Sequence, residues 1–346
     1  MRRWLVFAAL SAGLFFSCNP SNPVPIPQVS TFAGSGTEGT ADGKGAAAQF
    51  HNPVNLAFDD AGNLYVADFH DDNPGRIRKI TPDGTVSTLF TDPTFSRPFG
   101  IDYHMGFLYV STDRDSTGQP RSSLWKIDVS NGNHTIPVDN INEGRERGLV
   151  VAADGRIYLS DRTNNVIMRI DLSGANPEVV QLAGLRGPGA YQDGTGDGAN
   201  FNTPYGLAVL GSDVLVADSG NNCVRRVTPA GVVTTFAGVC GPGGYKDGNL
   251  SEALFKGLQD LAVDGAGNVY VSDNGNHRIR KISGGKVSTI AGSGTAGFKD
   301  GPLLEAQFYG QEGIDVKPGG SALFVADGNG GNEPQPYRRI RQVPLP

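Results

Sequence analysis

The chain has 346 residues, with 29 Lys and Arg against 35 Asp and Glu, a net charge of −6 and a pI of about 5.4. An acidic chain without runs of like charge lacks the positive field that nucleic acids and anionic membrane surfaces require, so we exclude both as partners. Its 49 glycines and 22 prolines indicate many tight turns between short segments.

The first 18 residues predict a signal peptide. Arg2 and Arg3 precede an apolar run, residues 4–16, that is too short to span a bilayer and is typical of secretory signals. The run leads into Leu14-Phe15-Phe16-Ser17-Cys18, which resembles a bacterial lipobox with lipid on Cys18, although Phe15 departs from the usual aliphatic residue. Residues 19–27 are Pro-rich and predict a stiff tether. We therefore expect export to the cell envelope, with a lipid anchor as the only membrane contact. The alternative is an ordinary signal peptide with an incidental cysteine.

From residue 28 to the end, short apolar runs alternate with turn residues, which predicts antiparallel strands joined by hairpins. The runs form six repeats spaced roughly 45 to 57 residues apart, a period typical of repeat architectures. Each repeat ends its second run with an aspartate: Asp68, Asp113, Asp161, Asp218, Asp273 and Asp327.

The number of runs predicts how the repeats assemble. The first five repeats have four runs each, but the sixth stops after its third run, at Val343. Residues 29–34 form a matching run at the other end of the chain. We predict an all-β, six-bladed propeller of four-stranded antiparallel blades, monomeric, in which the N-terminal strand completes the last blade and removes exposed edges.

The segment 267–282 carries a family resemblance. Gly-Asn-Val-Tyr-Val-Ser-Asp followed by Asn-x-x-x-Arg-Lys-Ile resembles the NHL repeat, and six copies over residues 28–346 resemble an NHL propeller. Repeats 2 and 3 are degenerate. The resemblance implies the fold but leaves function open, because such propellers include binding scaffolds, lactonase relatives and lyases.

Two further features concern the interior. Arginines in the third runs are expected to pair with the repeated aspartates as a stabilising device: Arg78, Arg225, Arg280 and Arg341. Cys223 and Cys240 are predicted to be unpaired, because a hairpin turn at Pro229-Ala230 would leave them on the order of 13 Å apart.

Four joins between repeats carry long insertions with an Asp-Gly turn, and each ends in a phenylalanine that we expect to be buried over the neighbouring sheet: Phe50, Phe201, Phe255 and Phe308. The joins into repeats 2 and 3 are short. The insertions therefore predict an asymmetric cup with a high wall over repeats 4, 5, 6 and 1.

Residues just before each first run would surround the mouth of the central channel on this face. We predict that these carboxylates, guanidinium groups, amides and phenols bind a polar ligand, a glycan or a peptide, or a partner protein. The alternative is a hydrated channel whose charges pair with one another. The candidate binding residues are Asn55, Arg97, Arg145, Arg147, Asn202, Tyr205, Asp260, Tyr309 and Glu312.

Catalysis is the competing hypothesis. Only His51 and His104 lie in or beside first runs, whereas catalytic zinc usually needs three protein ligands. Glu312 and Asp218 resemble elements of gluconolactonase-type enzymes, which would imply a metal-dependent lactonase or esterase with calcium or zinc at the channel mouth. Tyr205 stands where that family has an asparagine. We therefore predict a non-catalytic binding protein without a cofactor or metal, and keep the lactonase as the alternative.

Overall fold

The computed structural model describes residues 26–70, 74–328 and 337–345. The predicted signal peptide, Cys18 and most of the Pro-rich tether lie outside these residues, so they stay predictions. Within the described residues, no helix is both long and apolar enough to cross a membrane.

Strand β1 (Gln28–Gly36) opens the described chain, and six sheets follow around a central channel; we call each sheet a blade. Blade 1 contains β2 (Gly43–Lys44), β3 (Pro53–Phe58), β4 (Leu64–Asp68), β5 (Arg76–Ile80) and β6 (Thr85–Phe90). Blade 2 contains β7 (Pro98–His104), β8 (Phe107–Thr112), β9 (Ser123–Asp128) and β10 (His134–Asp139). Blade 3 contains β11 (Glu146–Val151), β12 (Ile157–Asp161), β13 (Val166–Asp171) and β14 (Glu178–Ala183).

Blade 4 contains β15 (Gly194–Thr195), β16 (Pro204–Leu210), β17 (Asp213–Asp218), β18 (Cys223–Val227) and β19 (Val232–Ala237). Blade 5 contains β20 (Gly248–Asn249), β21 (Leu258–Val263), β22 (Val269–Asp273), β23 (Arg278–Ser283) and β24 (Lys286–Ala291). Blade 6 contains β25 (Gly301–Pro302), β26 (Gln311–Val316), β27 (Ala322–Asp327), β28 (Arg338–Pro344) and β1. Single 3-10 turns lie at Gly45–Ala47, Gly196–Gly198, Ser219–Asn221 and Asn274–Asn276.

The ring closes as predicted. β1 is antiparallel to β28, with Ser30 opposite Gln342 and Thr31 opposite Arg341. Each inner strand packs against the next one around the channel, and β26 of blade 6 packs against β3 of blade 1. The first strand therefore supplies the hydrogen bonds that blade 6 would otherwise lack, and the fold class predicted from the sequence is confirmed.

The insertions differ in part from the predicted wall. In each of blades 1, 4, 5 and 6, the residues after the insertion's aspartate add a two-residue fifth strand to the outer edge, as where Gly194 pairs with Val233. The insertion aspartate explains this path. Asp193 accepts a hydrogen bond from the Arg225 guanidinium at 2.7 Å and another from the backbone N–H of Thr235 at 3.1 Å. Part of each insertion therefore covers the blade edge, while its phenylalanine is buried as predicted.

The predicted aspartate–arginine pairs are present in these same four blades. The N–O distances are 3.5 Å for Arg78–Asp68, 2.8 Å for Arg225–Asp218, 2.6 Å for Arg280–Asp273 and 2.7 Å for Arg341–Asp327. All four arginine side chains are fully buried. Each also binds its insertion's aspartate, so one guanidinium joins the strand end to the insertion. In blades 2 and 3, which lack insertions, Trp125 and Met168 take the arginine position.

Close packing of the inner strands depends on glycine. A Cβ on Gly206 would lie 2.0 Å from Asp260 Oδ1, and one on Gly313 would lie 2.5 Å from the Cα of Asn55. Since real Cβ atoms do not approach so closely, a side chain at either position would push neighbouring blades apart. Small residues therefore let the sheets approach closely near the axis.

The prediction of two unpaired thiols is wrong. Cys223 and Cys240 form a disulfide, with Cα atoms 5.0 Å apart. The prediction assumed that the fourth strand of blade 4 continues straight to Cys240, but β19 ends at Ala237. Gly238 follows with a φ of +94°, a conformation that suits glycine and turns the chain.

The turn is then fixed by the backbone. The N–H of Gly241 donates to the carbonyl of Asn221 at 2.8 Å, which lies two residues before the first cysteine. The segment after β19 therefore folds back along the start of β18. This places Cys240 beside Cys223 instead of several residues beyond it.

Candidate functional site

The channel mouth is the end of the channel where the inner strands begin, and Phe99, Arg147, Tyr205 and Glu312 form its floor. Arg147 is the second residue of β11 and is 4% exposed, and its two terminal nitrogens donate to Asp113 at 2.7 and 3.0 Å. Its guanidinium carbon lies 4.2 Å from the centre of the Phe99 ring. Burial would lower the pKa of Arg147, but the Asp113 carboxylate raises it, so this cation is permanent.

Glu312 lies at the start of β26, in blade 6, and is 9% exposed. Burial raises the pKa of its carboxyl to about 7, and the positive charges of Arg147 and Arg162 partly oppose this shift. Its Oε2 has no hydrogen-bond partner among the described residues. The floor therefore holds a carboxyl group that changes charge near neutral pH and has an unused acceptor atom.

Tyr205 packs beside this carboxyl at the start of β16. Its ring meets Phe99 edge to face, with centroids 5.7 Å apart, and the Arg162 guanidinium carbon lies 5.4 Å from its centroid. Burial and the charge of Glu312 raise the pKa of the phenol, so Tyr205 keeps its proton. Blades 2, 3, 4 and 6 thus each contribute a side chain to one small region.

Aromatic residues lie on the same face, beside blades 5 and 6. The Tyr309 ring stacks on Tyr337, with centroids 4.5 Å apart and an interplanar angle of 28°. The His277 ring is nearly parallel to the Tyr309 ring, with centroids 6.4 Å apart. We call these three residues the aromatic platform. All three are partly exposed, so the platform offers apolar faces next to the polar floor.

The remaining predicted binding residues have different surroundings. Asn202 is partly buried, and its backbone N–H donates to Asp218 at 2.8 Å. Arg97 is partly exposed with a φ of +57°, and Arg145 is exposed, so both lie toward the surface of this face. Asn55 is 7% exposed, and its side-chain oxygen accepts the N–H of Leu56 at 2.7 Å.

Asp260 lies deeper, in the channel itself, a cavity of about 170 Å³. Its Oδ2 accepts the N–H of Ile314 from blade 6 at 2.9 Å, and burial raises its pKa well above the ordinary value. Asp102 and Asp315 make the same kind of bond to blades 3 and 1, and burial raises the pKa of each to about 7. These carboxyls join adjacent blades, so Asp260 stabilises the ring from inside the channel.

The structure adds Phe99, Asp113 and Arg162 to the region. One sequence signal points to Asp113: it has the repeated aspartate position, but its blade has Trp125 where blades 1, 4, 5 and 6 have arginine. Without that arginine, the carboxylate is available to another cation. Arg147 and Arg162 follow no repeat pattern, and only the folded ring brings them together.

The lactonase alternative needs Glu312 and Asp218 to converge on an ion. Asp218 is fully buried inside blade 4, where Arg225, Asn221 and the N–H of Asn202 occupy its oxygens. Among the described residues, one group of three His, Cys, Asp or Glu side chains brings its ligand atoms within 4.8 Å of one another, and it contains Glu38, His51 and His70. Of these three residues, His51 lies beside a first run. Glu38 and His70 lie in other loops, and the spacing of the first runs does not predict that they approach His51.

Comparisons with known proteins agree with this architecture. Residues 255–282 match the model of the NHL repeat. The chain is 28% identical over 311 residues to the SUPPRESSOR OF QUENCHING 1 protein of Arabidopsis thaliana, covering 85% of this chain and 26% of that protein. It is 35% identical over 125 residues to human NHL repeat-containing protein 2, covering 33% of this chain and 17% of that protein. The chain thus spans about a quarter or less of the length of these relatives.

Among solved structures, an auxiliary nutrient binding protein from Bacteroides thetaiotaomicron superposes with a TM-score of 0.71 at 20% identity, covering 91% of this chain and 76% of that one. Similarity at this level concerns the fold. The chain is a six-bladed β-propeller that carries an NHL repeat.

Proposed function

We propose that the protein is a non-catalytic binding protein that recognises a polar ligand at the channel mouth. The observation that carries the proposal is the Glu312 carboxyl: it is nine-tenths buried, its Oε2 is unpartnered among the described residues, and two arginine charges act on it. An unsatisfied buried acceptor costs about 1–3 kcal/mol. A ligand hydroxyl or amide that donates to Oε2 removes this cost, which favours binding of molecules rich in such groups.

The aromatic platform supports a glycan or a peptide as the ligand. Binding sites combine apolar and aromatic surface with a few placed polar groups. Tyr309 and Tyr337 supply the aromatic surface, and Glu312, three residues after Tyr309, supplies a polar group. Partner proteins use similar aromatic and arginine-rich patches, so a protein ligand fits the same surface. The fold shared with an auxiliary nutrient binding protein also supports a binding role.

The surroundings of Glu312 favour binding over catalysis. Its nearest charges are arginines, and the Asp113 carboxylate is already occupied by two bonds from Arg147. A hydrolase of the lactonase type needs further carboxylates that are available to hold an ion at this place. The alternative function therefore has less support than recognition of an unreactive ligand.

An array of oligosaccharides and peptides tests the proposal, with each hit measured by calorimetry. We expect Glu312→Gln, which removes a hydrogen bond to a charged group, and Tyr309→Ala, which removes an aromatic contact, each to weaken a hit by at least about tenfold. Glu305→Gln is the matched control, because Glu305 is an exposed carboxylate on the same blade. Hits that bind all variants equally, or lactone hydrolysis that requires Glu312 and a divalent ion, would contradict the proposal.

The proposal places the protein at the cell envelope, anchored by lipid on Cys18. The apolar run before Cys18 and the Pro-rich residues after it support this location. The Cys223–Cys240 disulfide supports it independently, because disulfides persist in oxidising compartments outside the cytosol. Cys18→Ala should move the protein from the membrane fraction to the soluble fraction of the same cells. A wild-type protein found only in the soluble fraction would contradict the anchor.

A further inference from the structure

Glu38, His51 and His70 come together where the closing strand meets blade 1. Glu38 follows β1, His51 precedes β3, and His70 follows β4. One ligand atom from each lies within 4.8 Å of the other two. The imidazole rings of the two histidines are 3.6 Å apart at their centroids. Three separate loops thus place two imidazoles and one carboxylate in one small volume.

The hydrogen bonds of His51 determine which of its nitrogens is available. Nδ1 lies 2.8 Å from the carbonyl oxygen of Phe69, and since a carbonyl only accepts, Nδ1 carries the proton. Nε2 lies 2.7 Å from Oε1 of Glu38, which as a carboxylate also only accepts. A neutral imidazole would place two lone pairs against each other there. A cation on Nε2, either a proton or a metal ion, resolves this conflict.

Neighbouring groups hold these side chains in the way that metal ligands are usually held. Metal-bound histidines typically donate their other N–H to a backbone carbonyl, as His51 does to Phe69. Arg338 donates to Oε2 of Glu38 at 3.0 Å, which orients the carboxylate and leaves Oε1 toward His51. The backbone N–H of His51 donates to the buried Asp68 at 2.8 Å, so the backbone at His51 is held in place just before β3.

The group borders an open cavity of about 390 Å³, which also contains Thr40, Pro74 and Arg76. Solvent and ions therefore reach it directly. Zinc binds imidazole and carboxylate at about 2.0–2.2 Å, so two ligand atoms in a tetrahedral site lie roughly 3.3 Å apart. Glu38 is half exposed and His70 is partly exposed, so both side chains have room to rotate, and zinc binding requires the Glu38 carboxylate and the His70 ring to move away from His51.

We propose that Glu38, His51 and His70 form a binding site for one zinc ion, with the fourth position open to solvent. Two histidines and one glutamate match the ligand types and number of an open zinc site. The ion would join the segment after the closing strand to blade 1. Zinc should therefore also stabilise the ring. This inference is independent of ligand binding at the channel mouth.

The test uses tag-free protein that carries Cys18→Ser. Neither a tag nor this cysteine, which lies outside the described residues, can then bind zinc in place of the proposed site. Calorimetry with zinc alone should give one site per chain, and cobalt should give the visible absorption bands of a tetrahedral complex. His70→Gln and Glu38→Gln should each weaken zinc binding by at least about tenfold. His104→Gln is the control, because His104 ends β7, far along the chain from the three ligands, and should bind as the wild type does.

Melting gives a second readout. Saturating zinc should raise the Tm of the wild type and of His104→Gln by a few degrees, and should leave the Tm of His70→Gln unchanged. His51→Gln is informative only if it folds, so His70→Gln carries the test. A wild type without a saturable site, or His70→Gln and Glu38→Gln proteins that bind zinc as tightly as the wild type, would overturn the proposal. The contact between Glu38 and His51 would then be an ordinary ion pair.

Discussion

Arg147 of blade 3 donates two hydrogen bonds to Asp113 of blade 2, at 2.7 and 3.0 Å. In blades 1, 4, 5 and 6, the aspartate equivalent to Asp113 is held within its own blade by a buried arginine. Trp125 replaces that arginine in blade 2, so Asp113 is available to the neighbouring blade. Trp125 in the arginine position thus removes the aspartate–arginine pair from blade 2 and makes Asp113 available to Arg147 in the floor of the channel mouth.

The buried arginines should be the most sensitive charged positions in the protein. Arg225→Met leaves Asp218 without its cationic partner in a fully buried position, so we expect a loss of about 3–5 kcal/mol in unfolding free energy. Arg156→Met is the control: its ion pair with Asp154 is exposed, and its loss should cost less than about 1 kcal/mol. Urea denaturation measures both. Equal effects would show that the buried network does not stabilise blade 4.

The disulfide should contribute to stability. Cys223 and Cys240 are separated by 17 residues, and closing a loop of that size stabilises by about 3 kcal/mol in the chain-entropy estimate. Reductant should therefore lower the Tm of the wild type but not that of the Cys223→Ser, Cys240→Ser double variant. Intact mass measurement under denaturing conditions should give a wild type about two daltons lighter before reduction, one hydrogen per sulfur. An unchanged mass would contradict the bond.

Closure by the first strand predicts the effect of its removal. A variant without residues 28–36 exposes the edge of β28, and unpaired edges promote association between chains. We expect aggregation or a large loss of Tm, measured by light scattering and calorimetry. A variant that begins at residue 26 keeps the strand and should melt as the longer protein does. A monomeric deletion variant with unchanged melting would argue against the closed ring.

Glu146 should make stability depend on pH. Burial, and then the charge of Asp161, raises its pKa to about 8, and its Oε1 has no partner among the described residues. The folded state therefore holds this proton more tightly than the unfolded state. The resulting stability is fully present below the ordinary glutamate pKa and is lost as the pH rises through about 8.

Glu146→Gln removes that dependence. We expect the variant to be close to the wild type at pH 5 and more stable than it at pH 9, by about 2 kcal/mol, in the range for an unsatisfied buried group. Thermal melts at both pH values measure the difference. Glu178→Gln, at an exposed carboxylate, should show no such change. A Glu146→Gln variant that is equally destabilised at both pH values would contradict the assigned proton.

The sequence predicts those parts of the structure that are set within one repeat. Strand runs, Asp218 with Arg225, and the buried Phe201 all follow from residues at fixed positions in the repeat, and counting the runs predicts the ring closure. Each of these depends on local hydrogen bonds or on burial of an apolar side chain, which repeat from blade to blade.

The rest depends on turns and on contacts between blades. The path from Gly238 to Cys240 depends on one left-handed residue, and a straight extrapolation of the strand misses it. Arg147 meets Asp113 only because two blades adjoin, and Glu38 meets His70 only where the ring closes. Such contacts have no periodic signal, so spacing in the sequence does not reveal them.

The pairing of Ser30 with Gln342 has a consequence for how the molecule is made. During synthesis, β1 is made first but cannot pair with β28 until nearly the whole chain has emerged. Until then, five blades can assemble while the sixth stays incomplete. Contacts so distant in sequence form slowly. The interval before the last strand arrives is therefore when a newly made chain most needs protection from its neighbours.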